Sequence, residues 1–363
     1  MRTERLQRVR ARMAELGVDA LLLSLGADLP WLTGYEAMPL ERLTMLVLLA
    51  DDEATLVVPA LEAPRVAEDR AVFSLRPWSE TEDAVAIVAG LVGRRRLLAV
   101  SDRTWATFVL ALQDRLPAST WCSASEVTGP LRAVKDDDEI AVLRRAGAAA
   151  DRVAAQLMAG DIPLVGRSES EVSAEIGRRL QAEGHQRVNF AIVGSGPNSA
   201  SPHHEPGPRR IGAGEAVVCD FGGALDGYCS DITRTVFTGD PPAEFTELYT
   251  VLHGAQATAV AAATAGTACE AVDLAARRII DDAGFGQHFI HRTGHGIGLE
   301  EHEHPYLVSG NAEPLVAGNA FSVEPGIYLS GRWGARIEDI VVAGDTGPEP
   351  LNTVSHDLAV VDA

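Results

Sequence analysis

The chain of 363 residues is poor in lysine, in cysteine and in positive charge. Lys135 is its only lysine, a bias that genome composition accounts for without any function attached. Its four cysteines, Cys122, Cys219, Cys229 and Cys269, show no C-x-x-C spacing, so nothing suggests a paired-thiol site and they read as small buried hydrophobes. A formal charge of −20 opposes nucleic acid or an anionic membrane as partner, since both demand a basic surface, but it does not oppose cations. No apolar run reaches the roughly eighteen residues that a membrane span needs. The N-terminus, "MRTERLQRVR", lacks the hydrophobic stretch of a secretory signal. These absences predict a soluble, cytoplasmic protein, long enough for two ordinary domains.

The first third alternates helical and strand-like patterns. Leu6, Val9, Met13 and Leu16 recur at helical spacing up to Gly17, and "VDALLLSL", "LTMLVLLA", "ATLVVP" and "RLLAVSD" read as buried strands. Between them, Ser79 and Glu82 form a capping-box pattern before the helix of "AVAIVAGLVG". Gly129-Pro130 breaks the pattern and predicts a boundary, giving domains 1–130 and 131–363. A long helix is expected from Asp136 to Ala159 and another from Ser168 to Glu183, the latter opened by Ser168 and Glu171. Strand pairs, two alanine-rich helices between residues 243 and 283, and a strand-rich end from 319 complete an α+β architecture, with helices on one face of a largely antiparallel sheet.

Two hairpins concentrate acidic residues. In "CDFGGALDGYCSD", Asp226-Gly227 signals a two-residue type I′ turn, which pairs Gly222 with Asp231 and Asp220 with Thr233. Asp220 and Asp231 then share a face as diagonal neighbours, about 7–8 Å apart at the backbone. In "FSVEPGIY" and "ARIEDIVV", a hairpin centred on Gly331 sets Glu324 opposite Glu338, with Pro325 marking a bulge. Any one of these acids could be a solvated surface group. Together they sit among Val217, Val218, Ile232, Val236, Phe321, Val323, Ile337 and Ile340, and unpaired carboxylates cannot stay ionised in such surroundings. Carboxylates with one imidazole suit divalent Mn, Co or Zn.

The imidazole comes from "HRTGHGIGLEEHEHP", residues 291–305. His291 and His295 stand four apart as in H-E-x-x-H, but Arg292 replaces the glutamate, and Gly294, Gly296 and Gly298 would each cost a helix about 1 kcal/mol. The segment reads as a loop or extended strand whose glycines let something, here expected to be substrate, approach the backbone.

Over "LRAVKDDDEIAVLRRA", "CDFGGALDGYCSDITRT", "GHGIGLEEHE", "VEPGIY" and "RIED" the chain resembles the metallopeptidases of the pita-bread fold, in the branch of proline dipeptidases (prolidases) and aminopeptidase P. The resemblance implies a pita-bread catalytic domain preceded by a smaller creatinase-like α/β domain. It implies two divalent ions, Mn foremost with Co or Zn as alternatives, held by Asp220, Asp231, His295, Glu324 and Glu338, with Asp231 and Glu338 bridging. Glu324 is then also the proton shuttle, and His302, His203 and His291 attend the substrate, the doubling of His203 and His204 leaving open which faces inward. Arg336 is expected to orient Glu338, with Thr233 beside it. His304 reads as a loop residue.

The implied reaction is cleavage before proline, of dipeptides or of longer peptides as in aminopeptidase P, by a homodimer. Tyr306 stands where some archaeal-type prolidases carry an arginine for the dipeptide carboxylate, so Arg332 or a partner subunit is expected to supply that charge. The α/β domain argues against a methionine aminopeptidase. Intact ligands argue against a metal-free creatinase-type hydrolase and against a binding protein that has lost catalysis.

Overall fold

In the computed structural model Leu6, Val9 and Met13 form the buried stripe of α1 (Arg2–Leu16), which Gly17 ends in left-handed backbone. The structure describes residues 2–51 and 53–361. The chain divides into two units, Met1–Arg132 and Ala133–Ala363. After α1 the first unit runs β1 (Ala20–Leu23), α2 (Asp28–Thr33), β2 (Met45–Leu49), β3 (Thr55–Pro59), β4 (Ser74–Trp78), α3 (Ala84–Val92), β5 (Leu97–Val100), α4 (Ala106–Arg115), β6 (Thr120–Ser123) and α5 (Ser125–Ala133). Its sheet has the order β4-β3-β2-β1-β5-β6, antiparallel among β1 to β3 and parallel elsewhere. Leu22, Val47, Val57 and Leu98 of the strands bury against Val88 and Leu112 of the helices.

Two expectations shift. The Glu82 carboxylate does accept from the Ser79 amide, but α3 is capped by Asp83, which accepts from Ala86 N and is as good a cap as serine. Gly129-Pro130 lies inside α5, because burial of Val127, Thr128 and Arg132 holds the helix together through the proline.

In the second unit α6 (Asp137–Met158) and α7 (Glu169–Ala182) each open on a complete capping box, Asp136 with Glu139 and Ser168 with Glu171. There follow β7 (Arg187–Ser195), β8 (Ala216–Leu225), β9 (Tyr228–Thr238), α8 (Ala243–Ala262), α9 (Cys269–Asp282), β10 (Gly294–Gly296), β11 (Glu303–Leu307), β12 (Ala320–Val323), β13 (Gly326–Leu329), β14 (Trp333–Arg336), β15 (Asp339–Val342), β16 (Glu349–Pro350) and β17 (Ala359–Val361). The helices do not share one sheet face. Val153, Val172 and Ile176 of α6 and α7 pack on Val217, Phe221 and Ile232 of the sheet β17-β9-β8-β7. Leu252, Val272 and Ile280 of α8 and α9 pack with Phe321, Val323 and Val341 of the sheet β11-β10-β12-β15-β16. The second unit has the α+β pita-bread arrangement, and a smaller α/β domain precedes it in the chain. Cys219, Cys229 and Cys269 are buried and Cys122 partly so, all as free thiols. Among the described residues no helix is long and apolar enough to cross a membrane.

One cation joins the two sheets. Arg234 of β9 is fully buried, pairs with Asp339 Oδ1 at 2.8 Å and donates to the carbonyls of Glu338 and Thr233. Removing one partner of a buried ion pair leaves the other charge uncompensated, so Arg234→Ala is expected to cost about 3–5 kcal/mol in urea unfolding. A loss below about 1 kcal/mol, the level of an exposed pair, would contradict that role.

Candidate metal centre

The hairpin of β8 and β9 turns at Asp226 and Gly227, both in left-handed backbone, and pairs Leu225 with Tyr228, Gly222 with Asp231 and Asp220 with Thr233. This is the predicted register. Gly222 lies beside both acids, where a Cβ would stand 2.1 Å from the Ser230 carbonyl oxygen and 2.9 Å from the Phe190 ring. The second hairpin keeps one register throughout, Val323 opposite Asp339 and Gly326 opposite Arg336, with Gly331 at its tip in left-handed backbone. Glu324 and Glu338 fall opposite each other at the break between its two ladders, beside Pro325. Released from that pairing, their amides go elsewhere: Glu324 N to the Thr293 carbonyl and Glu338 N to the Thr233 carbonyl.

These elements wall a cavity of about 550 Å³ lined by all five expected ligands together with His203, His291, His302 and Arg336. Single oxygen or nitrogen atoms of Asp231, His295 and Glu338 lie within 4.8 Å of one another. His295 Nδ1 faces the Gly296 carbonyl at 3.1 Å, which assigns a proton to Nδ1, while Nε2 faces Glu324 Oε1, 3.2 Å away, and Asp231 Oδ2, 3.9 Å away, donating to Glu324 when the ring is charged and offering its lone pair to a cation when it is neutral. An imidazole held through its other nitrogen in this way is the usual form of a metal-ligating histidine. Asp220 Oδ1 and Asp231 Oδ1 are buried with no hydrogen-bond partner.

Electrostatics tell the same story. Burial, and then the charges of Glu338, Asp220 and Glu324, push Asp231 well above the ordinary carboxylate range. Burial and the neighbouring acids do the same to Glu338, and burial raises Asp220 despite Arg336. Glu324 is also raised by burial, but its hydrogen bond to His295 and the charges of His295, His291 and Arg336 outweigh that and hold it down at about 2. Acceptor atoms crowded together without donors between them fit divalent cations, which would lower all of these values at once.

The surrounding residues differ in part from expectation. Arg336 donates to Asp220 Oδ2 at 2.6 Å, to Tyr328 Oη at 2.9 Å and to Thr233 Oγ1 at 3.0 Å. It therefore orients Asp220, and reaches Glu338 only through Thr233, whose hydroxyl donates to Glu338 Oε2 at 2.6 Å. Ser322 Oγ donates to Glu324 and accepts from His295 N. His291 lines the cavity, with its Nδ1 facing the Arg292 carbonyl and its Nε2 the Tyr328 hydroxyl, so both nitrogens have partners within the protein. The doubled histidine is resolved: His203 lines the cavity while His204 Nε2 lies 2.8 Å from Glu169, a fully buried carboxylate that also accepts from Ser195, Asn198 and Gly207. His302 lines the cavity with its ring 4.1 Å from that of His295, and burial plus the charges of His295 and Arg292 lower it to about 4.

Arg332 and Tyr306 are not brought to the site. Arg332 makes a bidentate pair with Glu244 at the surface, where a guanidinium finds the nearest carboxylate. Tyr306 lies outside the cavity lining, its ring beneath the guanidinium of Arg292, which does line it. His304 packs its ring on Tyr306. The glycines of residues 294–298 also let neighbouring backbone approach: a Cβ would come within 1.9 Å of the Ser322 carbonyl at Gly294 and 2.2 Å of the His304 carbonyl at Gly296. Reasoning from sequence missed Glu169, Tyr328, Arg292 and Glu301. Tyr328 was within reach, since 324, 326 and 328 share a face by alternation, whereas Glu169 looks like any acid in a first helical turn.

Residues 141–345 match the model of metallopeptidase family M24, and residues 5–134 that of the creatinase/prolidase N-terminal domain. A dipeptidase PepE from Mycobacterium ulcerans is 43% identical, with a TM-score of 0.93 over 100% of this chain and 98% of that one. A recombinant prolidase from Thermococcus sibiricus is 35% identical, with a TM-score of 0.93 over 99% and 98%. A Xaa-Pro dipeptidase of Lactobacillus delbrueckii is 34% identical over 98% of each chain. With a matching model over most of its second unit and such relatives along its whole length, the chain belongs to metallopeptidase family M24.

Proposed function

We propose that the chain is a dinuclear-metal hydrolase that cleaves the peptide bond before proline, with Xaa-Pro dipeptides as its substrates. The observation that carries this reading is the convergence of Asp220, Asp231, His295, Glu324 and Glu338 on one cavity, with Asp220 Oδ1 and Asp231 Oδ1 buried and without a hydrogen-bond partner. These five would hold two divalent ions, and oxygen ligands with one imidazole suit Mn²⁺, with Co²⁺ or Zn²⁺ as substitutes. Bound there, the ions would lower the pKa of a water and polarise the scissile carbonyl.

The protein's own groups do the rest. Glu324, ionised at neutral pH, takes the proton of the attacking water and hands it to the leaving ring nitrogen. His302, neutral at that pH, donates a hydrogen bond toward the charge developing on the carbonyl oxygen. His203 stands on the substrate side, and Phe190, Ile192 and Pro202 give an apolar wall for the proline ring. Arg292, without a carboxylate partner among the described residues, takes over the part first assigned to Arg332 and receives the carboxylate that follows proline. Names of relatives support the same substrate class, one being called a Xaa-Pro dipeptidase and another a prolidase. The reading extends to a cytoplasmic protein and to a homodimer, the latter tested by light scattering.

Three outcomes are expected. Dialysis against chelator should abolish peptidase activity, and Mn²⁺ or Co²⁺ should restore it with about two ions per chain; full activity in metal-free protein would refute the mechanism. Asp231→Ala should lose metal and activity together, whereas His302→Ala should keep both ions and lose roughly 10²–10³-fold in kcat. Equal metal loss in the two variants would remove His302 from the catalytic role. Ala-Pro should be cleaved faster than Ala-Pro-Ala, because an amide in place of the carboxylate leaves Arg292 unpaired. Arg292→Met should narrow that difference and Arg332→Ala should leave it unchanged. A faster tripeptide would make the enzyme a Xaa-Pro aminopeptidase with the same metals and catalytic groups.

A further inference from the structure

We infer that the chain's single lysine is a positioning residue: the ion pair of Lys135 with Glu303 fixes where His302 stands in the cavity. The inference rests on the catalytic reading of His302 above.

Every other Lys or Arg position of this chain is arginine, so the one lysine invites a local reason, and the structure supplies it. Lys135 Nζ lies 2.6 Å from Glu303 Oε1, with side-chain exposures of 1% and 9%. The pocket that seats them is narrow. Gly298 passes beside the pair, and a Cβ there would fall 2.7 Å from Glu303 Oε1 and 3.2 Å from Lys135 Cε. An ammonium is a compact point charge, while a guanidinium is a broader planar fork that needs more room.

Both ends of the pair are anchored to something relevant. On the lysine side, the Ala133 carbonyl accepts from Asn319, Val134 bridges Asn319, Lys135 N donates to the Gly318 carbonyl, and Asp136 caps α6. On the glutamate side, Glu303 follows directly on Glu301 and His302, which line the cavity, and its backbone pairs with Gly296 just past the register shift between His295 and Gly296 in the β10–β11 ladder. The segment 297–302 is thus held at its far end by a charge fixed to rigid backbone. Stability alone does not explain the arrangement, because a buried ion pair is commonly no better than well-packed apolar residues of the same volume. Its distinctive contribution is directional, and the group next to it in the chain is His302.

The test is a double-mutant cycle in kcat on Ala-Pro with the manganese-loaded enzyme. Lys135→Met should lower kcat about ten- to a hundredfold, the effect of displacing a catalytic group by around 1 Å, with both ions retained. In the His302→Ala background the same substitution should change kcat by less than about threefold, since the two act on one step. Independent, multiplying losses would overturn the inference. A His302→Ala enzyme as active as the parent would instead overturn the reading of His302 itself, and is seen in that single variant. Should Lys135→Met fail to fold, the apolar pair Lys135→Met with Glu303→Leu leaves no buried charge. A folded double variant with lowered kcat supports the inference, and one with parental kcat refutes it.

Discussion

Four carboxylates packed around one cleft, with a single arginine among them, set the terms for the rest of the catalytic unit. Asp220, Asp231 and Glu338 are buried and Glu324 is partly so, and among the described residues Arg336 is the guanidinium in direct contact, through Asp220. Repulsion of this kind is not relieved by hydrogen bonding alone, since Asp220 Oδ1 and Asp231 Oδ1 are buried without a hydrogen-bond partner. The site is stable as an ionised cluster only with further positive charge, so the fold is a preformed receptor for cations rather than a surface that acquires them.

Holding such a cluster in place falls to neutral and cationic neighbours, each fixing one acid. Arg336 holds Asp220, Thr233 holds Glu338, Ser322 holds Glu324, and Tyr328 links Arg336 to His291. Arg234 ties the backbone of Glu338 to β9 from behind. Glu169 does the same for the loop of His203, collecting donors from Ser195, Asn198, His204 and Gly207 around one anion. Glycines at 222, 294 and 296 let the strands carrying the ligands pack against neighbouring backbone, so the absence of a side chain there is a condition of ligand geometry.

Local chemistry was enough to read a good part of this from the amino acids. Asp226-Gly227 dictates its hairpin and hence the shared face of Asp220 and Asp231, because the turn type sets the register and alternation sets the face. Capping boxes at Asp136 and Ser168 place α6 and α7 for the same kind of reason. The motif resemblance named five expected ligands, and geometry brings all five around one cavity.

What stayed out of reach depends on residues far apart in the chain. Nothing in "PHHEPG" says which histidine turns inward; Glu169, more than thirty residues earlier, takes His204 and leaves His203 at the cavity. Glu244 draws Arg332 to the surface, and the Tyr328 hydroxyl partners Nε2 of His291. Lys135 looked like a compositional accident until Glu303 and Gly298 closed around it. Turns, caps and strand faces are decided by neighbours within a few residues, and so the sequence alone determined most of the elements and the shared face of Asp220 and Asp231. The partner of each polar side chain is decided by which distant groups share its burial, and only the tertiary structure settled that.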